Sequence, residues 1–222
     1  MSIVVAQLGA RMHYAVPCLL HRAGRLDHFF TDLCASKGWP RWCSRLPAGL
    51  ASDGLRRLGG RDPQGVPGER ITAFNVLGLR YARMRRRARS PEELTQSFLW
   101  AGRAFCRRIV SRGLGEARSV YAFNSAALEL FEAAKARGRR TVLEQTIAPR
   151  RVEHTLLQEE HERFPDWHCA ADESDVLDRY CAREEAEWRL ADLILCGSDF
   201  VRDGIAQCGG PVERCVVVPY GV

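Results

Sequence analysis

The chain has 222 residues, of which 46% are hydrophobic, 9% aromatic and 27% charged. This length suits one large α/β domain rather than two, and the composition excludes a disordered, collagenous or disulfide-stapled protein. No apolar run approaches the ~20 residues that span a bilayer, and the first residues do not match a secretory signal, so a cytoplasmic location is expected. Nine scattered cysteines without a Cys-x-x-Cys pair favour free thiols in a reducing compartment.

The charge is distributed unevenly along the chain. The formal net charge is +6, with 33 Lys and Arg against 27 Asp and Glu. Residues 1–118 hold 21 of the basic residues and eight of the acidic ones, whereas residues 119–222 are acidic overall. A strongly basic face is therefore expected, with the phosphates of a lipid surface, of nucleic acid or of a small ligand as its candidate partners.

The first third of the chain predicts three short strands and one long irregular segment. Apolar residues over 2–8, ending at a glycine, are typical of a buried strand, and a helix over about 13–24 and a strand near 26–32 follow. Residues 38–70 contain seven of the 19 Gly and four of the ten Pro, which predicts an irregular excursion. A third strand is expected over 71–75.

An arginine-rich helix is predicted after the third strand. Leu77, Tyr81, Met84 and Ala88 fall on one apolar stripe, whereas the other face is nearly all arginine. The six guanidiniums belong to Arg80, Arg83, Arg85, Arg86, Arg87 and Arg89. They form either a solvated face or a contact with an anionic surface at the inner membrane. Nucleic acid is disfavoured, because no aromatic residues for base stacking are interleaved with the arginines.

The rest of the chain alternates helices and strands. A capping box with proline at its second position, Ser90-Pro91-Glu92-Glu93, opens a helix that runs to about Gly113. Strands are expected at 119–123, 141–144, 193–196 and 216–218. Helices are expected at 124–137, with Asn124 as its cap, and at 150–164, 174–190 and 198–208. This alternation indicates βαβ units and a doubly wound parallel sheet.

The turn after the first strand is a candidate binding site. Ligands of parallel α/β sheets bind beyond the carboxyl ends of the strands, near the point where the strand order reverses. Gly9 lets the backbone approach a ligand, and Arg11 and His13 favour an anion or a sugar hydroxyl. The alternative is an ordinary turn with a surface arginine and a histidine satisfied by its neighbours.

Other strand ends add polar candidates. Asn124 and Ser198 each follow a strand. Glu144 and Gln145 end another, where a carboxylate can bind a hydroxyl or act as a base, although a cap for the next helix is an equal alternative. These four residues, with the turn after the first strand, make up the predicted site.

A glutamate is expected on the apolar side of the helix at 174–190. Leu177, Cys181, Glu184 and Trp188 share one stripe, whereas Glu185 and Glu187 are expected to point elsewhere. A core carboxylate needs a partner or a raised pKa, and pairing of Glu184 with an arginine is its structural interpretation.

Several reaction classes lack their motifs. His154, His161 and His168 lie seven residues apart, but a proline separates the last from the helix, and neither His154 nor His161 has a His or Cys at i+4, so no metal site is expected. The sequence also lacks a Gly-x-Gly-x-x-Gly turn, a Gly-x-Ser-x-Gly elbow and a P-loop. These absences disfavour a classical NAD dehydrogenase, a serine hydrolase and a P-loop NTPase.

Two segments carry the most specific pattern, REEAEWRLADLILCGSDFV over 183–201 and VVVPYGV over 216–222. They resemble the end of the N-terminal domain of family-four glycosyltransferases, whose GT-B architecture sets two Rossmann-like domains across a cleft. The turn around Gly9 is similar to the glycine-bearing loop of that family. The resemblance implies that residues 1–222 form the acceptor-side domain, with the C-terminal donor-binding domain absent.

The resemblance also implies an activity. A sugar would pass from a nucleotide-sugar to the hydroxyl of a sugar or lipid-linked acceptor, with retention of configuration and without a metal. Gly9 and His13 would lie near the reacting groups, and the pair Glu144-Gln145 stands where many members have a histidine. Glu184 and Ser198 match family positions that are more structural than catalytic.

The donor side of the reaction is implied to lie elsewhere. In this family the nucleotide-sugar is held by the second domain, so no cofactor is expected on this chain, which would be inactive without a donor domain in cis or in trans. Two other functions remain open. One is a non-catalytic module that binds a carbohydrate or a protein partner, and the other is a Rossmann enzyme with a degenerate nucleotide-binding loop.

Overall fold

The computed structural model describes residues 2–40, 58–166 and 175–220. Within these ranges the strands form one seven-stranded sheet. They are β1 (Ile3–Gln7), β2 (Leu26–Thr31), β3 (Ile71–Ala73), β4 (Ser119–Phe123), β5 (Arg140–Gln145), β6 (Leu193–Cys196) and β7 (Cys215–Val217). All neighbouring strands are parallel, in the order β3-β2-β1-β4-β5-β6-β7. The predicted doubly wound, Rossmann-like α/β sheet is therefore confirmed.

The helices lie close to their predicted bounds. They are α1 (Ala15–Arg22), α2 (Asn75–Arg87), α3 (Pro91–Arg112), α4 (Leu128–Lys135), α5 (Arg150–Arg163), α6 (Asp175–Leu190) and α7 (Asp199–Gln207). The capping box of α3 forms, since the Glu93 backbone N–H donates to the Ser90 hydroxyl at 3.1 Å. In the described ranges no helix combines the length and apolar character needed to cross a bilayer.

Two hydrophobic cores cover the two faces of the sheet. Successive residues of a strand point to opposite faces, so Val4 and Ala6 pack with Phe105 of α3 and Trp188 of α6. Val5 joins the second core on the other face, with residues of α1 packed against it. Helices on both faces bury β4 completely and β1 except for its first residue, as is typical of a parallel sheet.

Helices α2 and α3 form an antiparallel pair. Phe74, just before α2, packs against Phe105 near the end of α3 at a centroid distance of 5.9 Å. Tyr81 in the middle of α2 packs against Phe98 near the start of α3 at 6.5 Å. Because α3 runs back toward the amino end of β4, α2 points the other way and projects beyond the carboxyl edge of the sheet.

The loop after β4 differs from the sequence prediction. The helix predicted to begin at Asn124 does not do so, because residues 124–127 form a loop and α4 begins at Leu128. This prediction was wrong because the loop is fixed by α6 rather than by a local cap, as described below. The irregular excursion predicted over 38–70 falls partly on residues 41–57, which lie outside the described residues.

Candidate functional site

The strand order reverses between β1 and β4. From β1 the chain continues to β2 and β3 on one side, and it returns to β4 on the other side. In doubly wound sheets the two following loops separate at this point, and ligands bind in the crevice between them, beyond the carboxyl ends of the strands. Polar residues from the ends of β1, β2, β4 and β5 meet here.

The loop after β1 is held in an unusual backbone conformation. Met12, His13 and Tyr14 all have positive φ angles, of 47°, 46° and 63°. Gly9, with φ of 87°, donates its N–H to Oδ1 of the buried Asp32 at 2.9 Å. Residues other than glycine adopt positive φ angles only where surrounding contacts hold them there, and such residues are more frequent at binding sites.

Asp32, which follows β2, and Gln7, at the end of β1, hold that loop by hydrogen bonds. Arg61 pairs with Asp32 at 3.1 Å, and the Gln7 side-chain amide donates to the carbonyls of Gly9 and Arg11 at 3.1 and 2.8 Å. These contacts fix the position of the loop relative to β1 and β2. The predicted residue Gly9 therefore serves as the turn that brings this backbone over the sheet edge.

Arg11 joins three strand ends. Its Nη1 donates to Oδ1 of Asn124 at 3.0 Å and to the hydroxyl of Thr146, and its guanidinium lies 5.8 Å from the Phe123 ring centroid. The guanidinium thus crosses from the β1 loop to the loops after β4 and β5. Of the three guanidinium nitrogens of Arg11, Nη1 alone has a hydrogen-bond partner among the described residues. Nε and Nη2 can therefore donate to a ligand.

Glu144 lies at the end of β5 between two phenols. The carboxylate is only 3% exposed, and it accepts hydrogen bonds from Tyr121 at 2.5 Å and from Tyr220, beyond β7, at 3.0 Å. Burial raises the pKa of the Glu144 carboxyl, whereas the two phenols and the charge of Arg11 oppose that rise. A buried carboxylate whose two oxygens are both held by phenols is suited to binding and orienting a hydroxyl.

Gln145 and Glu184 point into the protein rather than into the crevice. The Gln145 amide donates to Oε1 of Glu184 at 2.8 Å, and its oxygen accepts from the Trp188 indole at 3.0 Å. Glu184 also accepts the backbone N–H of Arg150 at 2.9 Å. The partners of Glu184 are thus an amide and a backbone N–H rather than the arginine side chain expected from the sequence, and this network ties the end of β5 to α6.

Glu184→Gln is expected to flatten the pH dependence of stability. Burial raises the pKa of Glu184 from 4.5 to about 7. Between these values the folded protein holds a proton that the unfolded chain releases, so the free energy of unfolding falls as the pH rises. This loss is on the order of 3 kcal/mol, and the amide cannot titrate.

Urea unfolding at pH 4.5, 6 and 7.5 measures this difference between the unchanged protein and Glu184→Gln. The partly exposed Glu185 on the same helix supplies the control, because Glu185→Gln is expected to keep the original pH slope. Identical slopes for all three proteins would show that Glu184 titrates normally.

Glu187 is the buried carboxylate that the sequence analysis missed. It was expected to point away from the core, yet it is 0% exposed and accepts the backbone N–H groups of Ser125, Ala127 and Leu128 at 2.7, 3.0 and 3.1 Å. Glu187 therefore caps α4 from a distant helix. Its i, i+4 spacing to Arg183 is the one signal in the sequence that favoured a pair.

Arg183 completes this buried cluster. It pairs with Glu129 of α4 through two hydrogen bonds of 2.9 and 2.8 Å, and its Nε donates to the Ser125 carbonyl at 3.1 Å. Ser125 itself has a positive φ of 69°, and a Cβ at Gly102 of α3 would lie 2.0 Å from its carbonyl oxygen. The loop after β4, which carries Asn124, is thus held between α3 and α6.

The remaining predicted residues lie apart from this cluster. His13 is exposed at the tip of the β1 loop, and its ring has no hydrogen-bond partner among the described residues. Ser198 caps α7 by accepting the Val201 backbone N–H at 3.4 Å. Oε1 of Gln7 and Nδ2 of Asn124 are buried without a partner in the described part of the chain. A hydroxyl can donate to the first and accept from the second.

A cavity lies apart from these strand ends. The cavity has a volume of about 570 Å³ and holds none of the predicted site residues. It is lined by Ser36, Lys37, Gly38, Asp62, Pro63, Gln64, Gly65, Val66 and Gly68. Within the described ranges no three His, Cys, Asp or Glu side chains are placed to hold a metal ion. His168 lies outside these ranges.

Comparisons with known proteins give matches among solved structures only. No protein-family model matches the chain, and no curated protein matches it in sequence. The structure of TcCGT1 in complex with UDP is 11% identical, with a TM-score of 0.51, over 99% of this chain and 50% of that one. This likeness shows a shared fold.

Two further structures are similar at lower TM-scores. Anabaena Alr3699/HepE in complex with UDP is 15% identical over 100% of this chain and 44% of its own, with a TM-score of 0.44. A UDP-glucosyltransferase from Polygonum tinctorium, capable of glucosylating indoxyl, is 13% identical over 100% and 52%, with a TM-score of 0.43. The chain spans about half the length of the solved structures that it matches.

Proposed function

We propose that this chain is the acceptor-binding half of a retaining glycosyltransferase. In this proposal a sugar moves from a nucleotide-sugar to a hydroxyl of a sugar or lipid-linked acceptor. The observation that carries the proposal is the polar cluster at the switch point between β1 and β4, where Arg11 bonds Asn124 and lies near Glu144, with His13 exposed in the same loop as Arg11. The resemblance of residues 183–201 and 216–222 to family-four glycosyltransferases supports it.

The groups in the crevice suit a polyhydroxyl ligand. Arg11 offers N–H donors, and the Glu144 carboxylate and the orphaned Asn124 amide, both almost fully buried, lie beside it. A sugar hydroxyl both donates and accepts, so it can match this mixture, whereas a purely anionic ligand would meet the Glu144 carboxylate. Hydrogen bonds to Arg11 and Glu144 would fix the orientation of the attacking hydroxyl.

The proposed transfer step needs one proton acceptor. The acceptor oxygen forms a bond to the anomeric carbon, on the face that the leaving group occupied, while the bond from that carbon to the diphosphate oxygen breaks. The hydroxyl proton leaves as this happens. His13, exposed at the loop tip, is the proposed proton acceptor, and Glu144 orients the hydroxyl because its oxygens are already held by phenols.

The proposed donor site lies on a second domain that would face this crevice. TcCGT1 was crystallised with UDP, and this chain matches half of that protein. The leaving diphosphate needs positively charged or N–H donors around it, and those groups are assigned here to the other half. Transfer by this chain therefore requires that domain, in the same polypeptide or in a partner.

Calorimetric titration of the 222-residue chain with UDP tests this division. We expect no saturable binding up to about 1 mM, because the sequence lacks a Gly-x-Gly-x-x-Gly turn and a P-loop. A parallel titration with NAD is expected to be equally flat. Micromolar binding of either nucleotide would instead indicate a nucleotide-binding Rossmann enzyme and contradict the proposal.

One observation favours a second function. Both Glu144 oxygens accept phenol hydrogen bonds, from Tyr121 and Tyr220, which suits a rigid binding group better than a base. The second candidate is accordingly a carbohydrate-binding module without catalysis. The two candidate functions differ at His13. His13→Ala is expected to leave carbohydrate binding unchanged in both cases. In the presence of the donor domain, it is expected to abolish sugar transfer only if the chain is part of a glycosyltransferase.

A further inference from the structure

We propose that the outer face of α2 binds the protein to an anionic membrane surface. This outer face consists of Val76, Leu79, Arg80, Arg83, Arg86 and Arg87, all of which are exposed. Neither the fold nor the proposed function uses it. The geometry, the charge and the direction of this helix support such binding, independently of the proposed function.

The six residues share one side of the helix. With about 100° per residue, their positions fall within a sector of about 120° around the helix axis. The opposite side packs on the protein through the buried Leu77 and Gly78 and the half-buried Tyr81. The outer face is therefore a continuous solvent-facing surface of one helix.

The charge of this face is uncompensated. Helix α2 contains five arginines and no acidic residue. Arg80 lies against the Trp100 ring at 4.6 Å, whereas Arg83, Arg86 and Arg87 form no ion pair with any described residue. Intramolecular pairing therefore does not account for this run of arginines. A concentrated positive surface attracts a polyanionic partner.

Two exposed aliphatic side chains favour a membrane as that partner. Val76 is 71% exposed and Leu79 is 51% exposed, and both lie on the same side as the arginines. Aliphatic groups beside arginines suit the lipid headgroup region, where the apolar part inserts and the charges meet lipid phosphates. Nucleic acid would gain nothing from Val76 and Leu79, and the outer face has no aromatic residue for base stacking.

The direction of α2 fits a surface contact. The helix projects beyond the carboxyl edge of the sheet, so Arg86 and Arg87 at its end lie farthest from the core. Tyr81 on its inner side is close enough to Asp32 and Arg11 to interact with them electrostatically. Binding through α2 would therefore hold the crevice near the lipid headgroups.

Co-sedimentation with vesicles tests the proposal. The 222-residue chain is expected to pellet with phosphatidylglycerol-containing vesicles and to stay in solution with pure phosphatidylcholine. Added salt is expected to reduce pelleting, because exposed charges are screened. Each arginine near an anionic surface contributes about fivefold to partitioning, so the triple variant R83E/R86E/R87E should lose at least about 100-fold.

Matched variants distinguish an effect of the outer face from an effect of the protein's net charge. The variant R107E/R108E/R112E changes the same number of exposed arginines, at the end of α3 that leads to the opposite edge of the sheet. It is expected to pellet nearly as well as the unchanged protein. The variant V76S/L79S keeps every charge. It is expected to partition onto the vesicles several-fold less than the unchanged protein, and this difference is expected not to depend on salt.

Three results would overturn the proposal. The first is an equal loss of vesicle binding in the two triple variants. The second is binding to phosphatidylcholine vesicles as strong as to phosphatidylglycerol-containing vesicles. The third is binding of a 20-nucleotide RNA or DNA duplex without any vesicle binding. The last would assign the outer face to nucleic acid. Circular dichroism of each variant checks that the fold is retained, which is expected because all the changed side chains are exposed.

Discussion

Glu187→Ala is expected to lower the free energy of unfolding by about 3–5 kcal/mol. The substitution removes the acceptor for the backbone N–H groups of Ser125, Ala127 and Leu128 and leaves these donors unsatisfied. It also takes one of two carboxylates from the buried Arg183. Both effects destabilise the loop after β4 and the start of α4.

Chemical unfolding of Glu187→Ala beside Glu185→Ala measures this effect. Glu185 lies on the same helix, is partly exposed and pairs with Arg151 on the surface, so its loss is expected to cost no more than about 1 kcal/mol. Glu187→Gln keeps one acceptor oxygen and should fall between the two. Equal, small losses for both alanine variants would contradict the role assigned to Glu187.

Local patterns in the sequence predicted most of the fold. Strand β6 has its predicted bounds, and the cap of α3 at Ser90 forms as its motif indicates. Both depend on residues within a few positions of one another, which periodicity and capping rules describe. The parallel sheet followed from the alternation of strands and helices, since each crossover needs a helix of this length.

The candidate site was predicted less completely, because its contacts join distant parts of the chain. Its position at the strand ends was predicted, but Arg11 meets Asn124 across 113 residues and Glu144 meets Tyr220 across 76. The role of Glu187 as a remote cap depends on how α6 packs against α4. Helix periodicity alone placed Glu184 on the apolar side and could not show that a second side of α6 is buried too.

Arg11→Ala is expected to weaken carbohydrate binding at least about tenfold, because hydrogen bonds to a charged group contribute roughly 1.5–3 kcal/mol each. Arg11 is also the only bridge described between the loop after β1 and the ends of β4 and β5. Arg11→Lys retains the charge but not the planar fork of donors, so an intermediate loss is expected. The fold should survive, since Gln7 and Asp32 hold the β1 loop independently.

The most direct test of the proposed function is saturation-transfer NMR of the chain with hexyl glycosides of glucose, galactose and mannose. The proposal predicts transfer to the sugar ring protons of at least one glycoside, no competition by UDP, and loss of the signal in Arg11→Ala. Arg118→Ala, an exposed arginine at the opposite edge of the sheet, should leave the signal unchanged. Displacement of the glycoside by UDP, an undiminished signal in Arg11→Ala, or no transfer to any glycoside would contradict the assignment of this crevice to an acceptor.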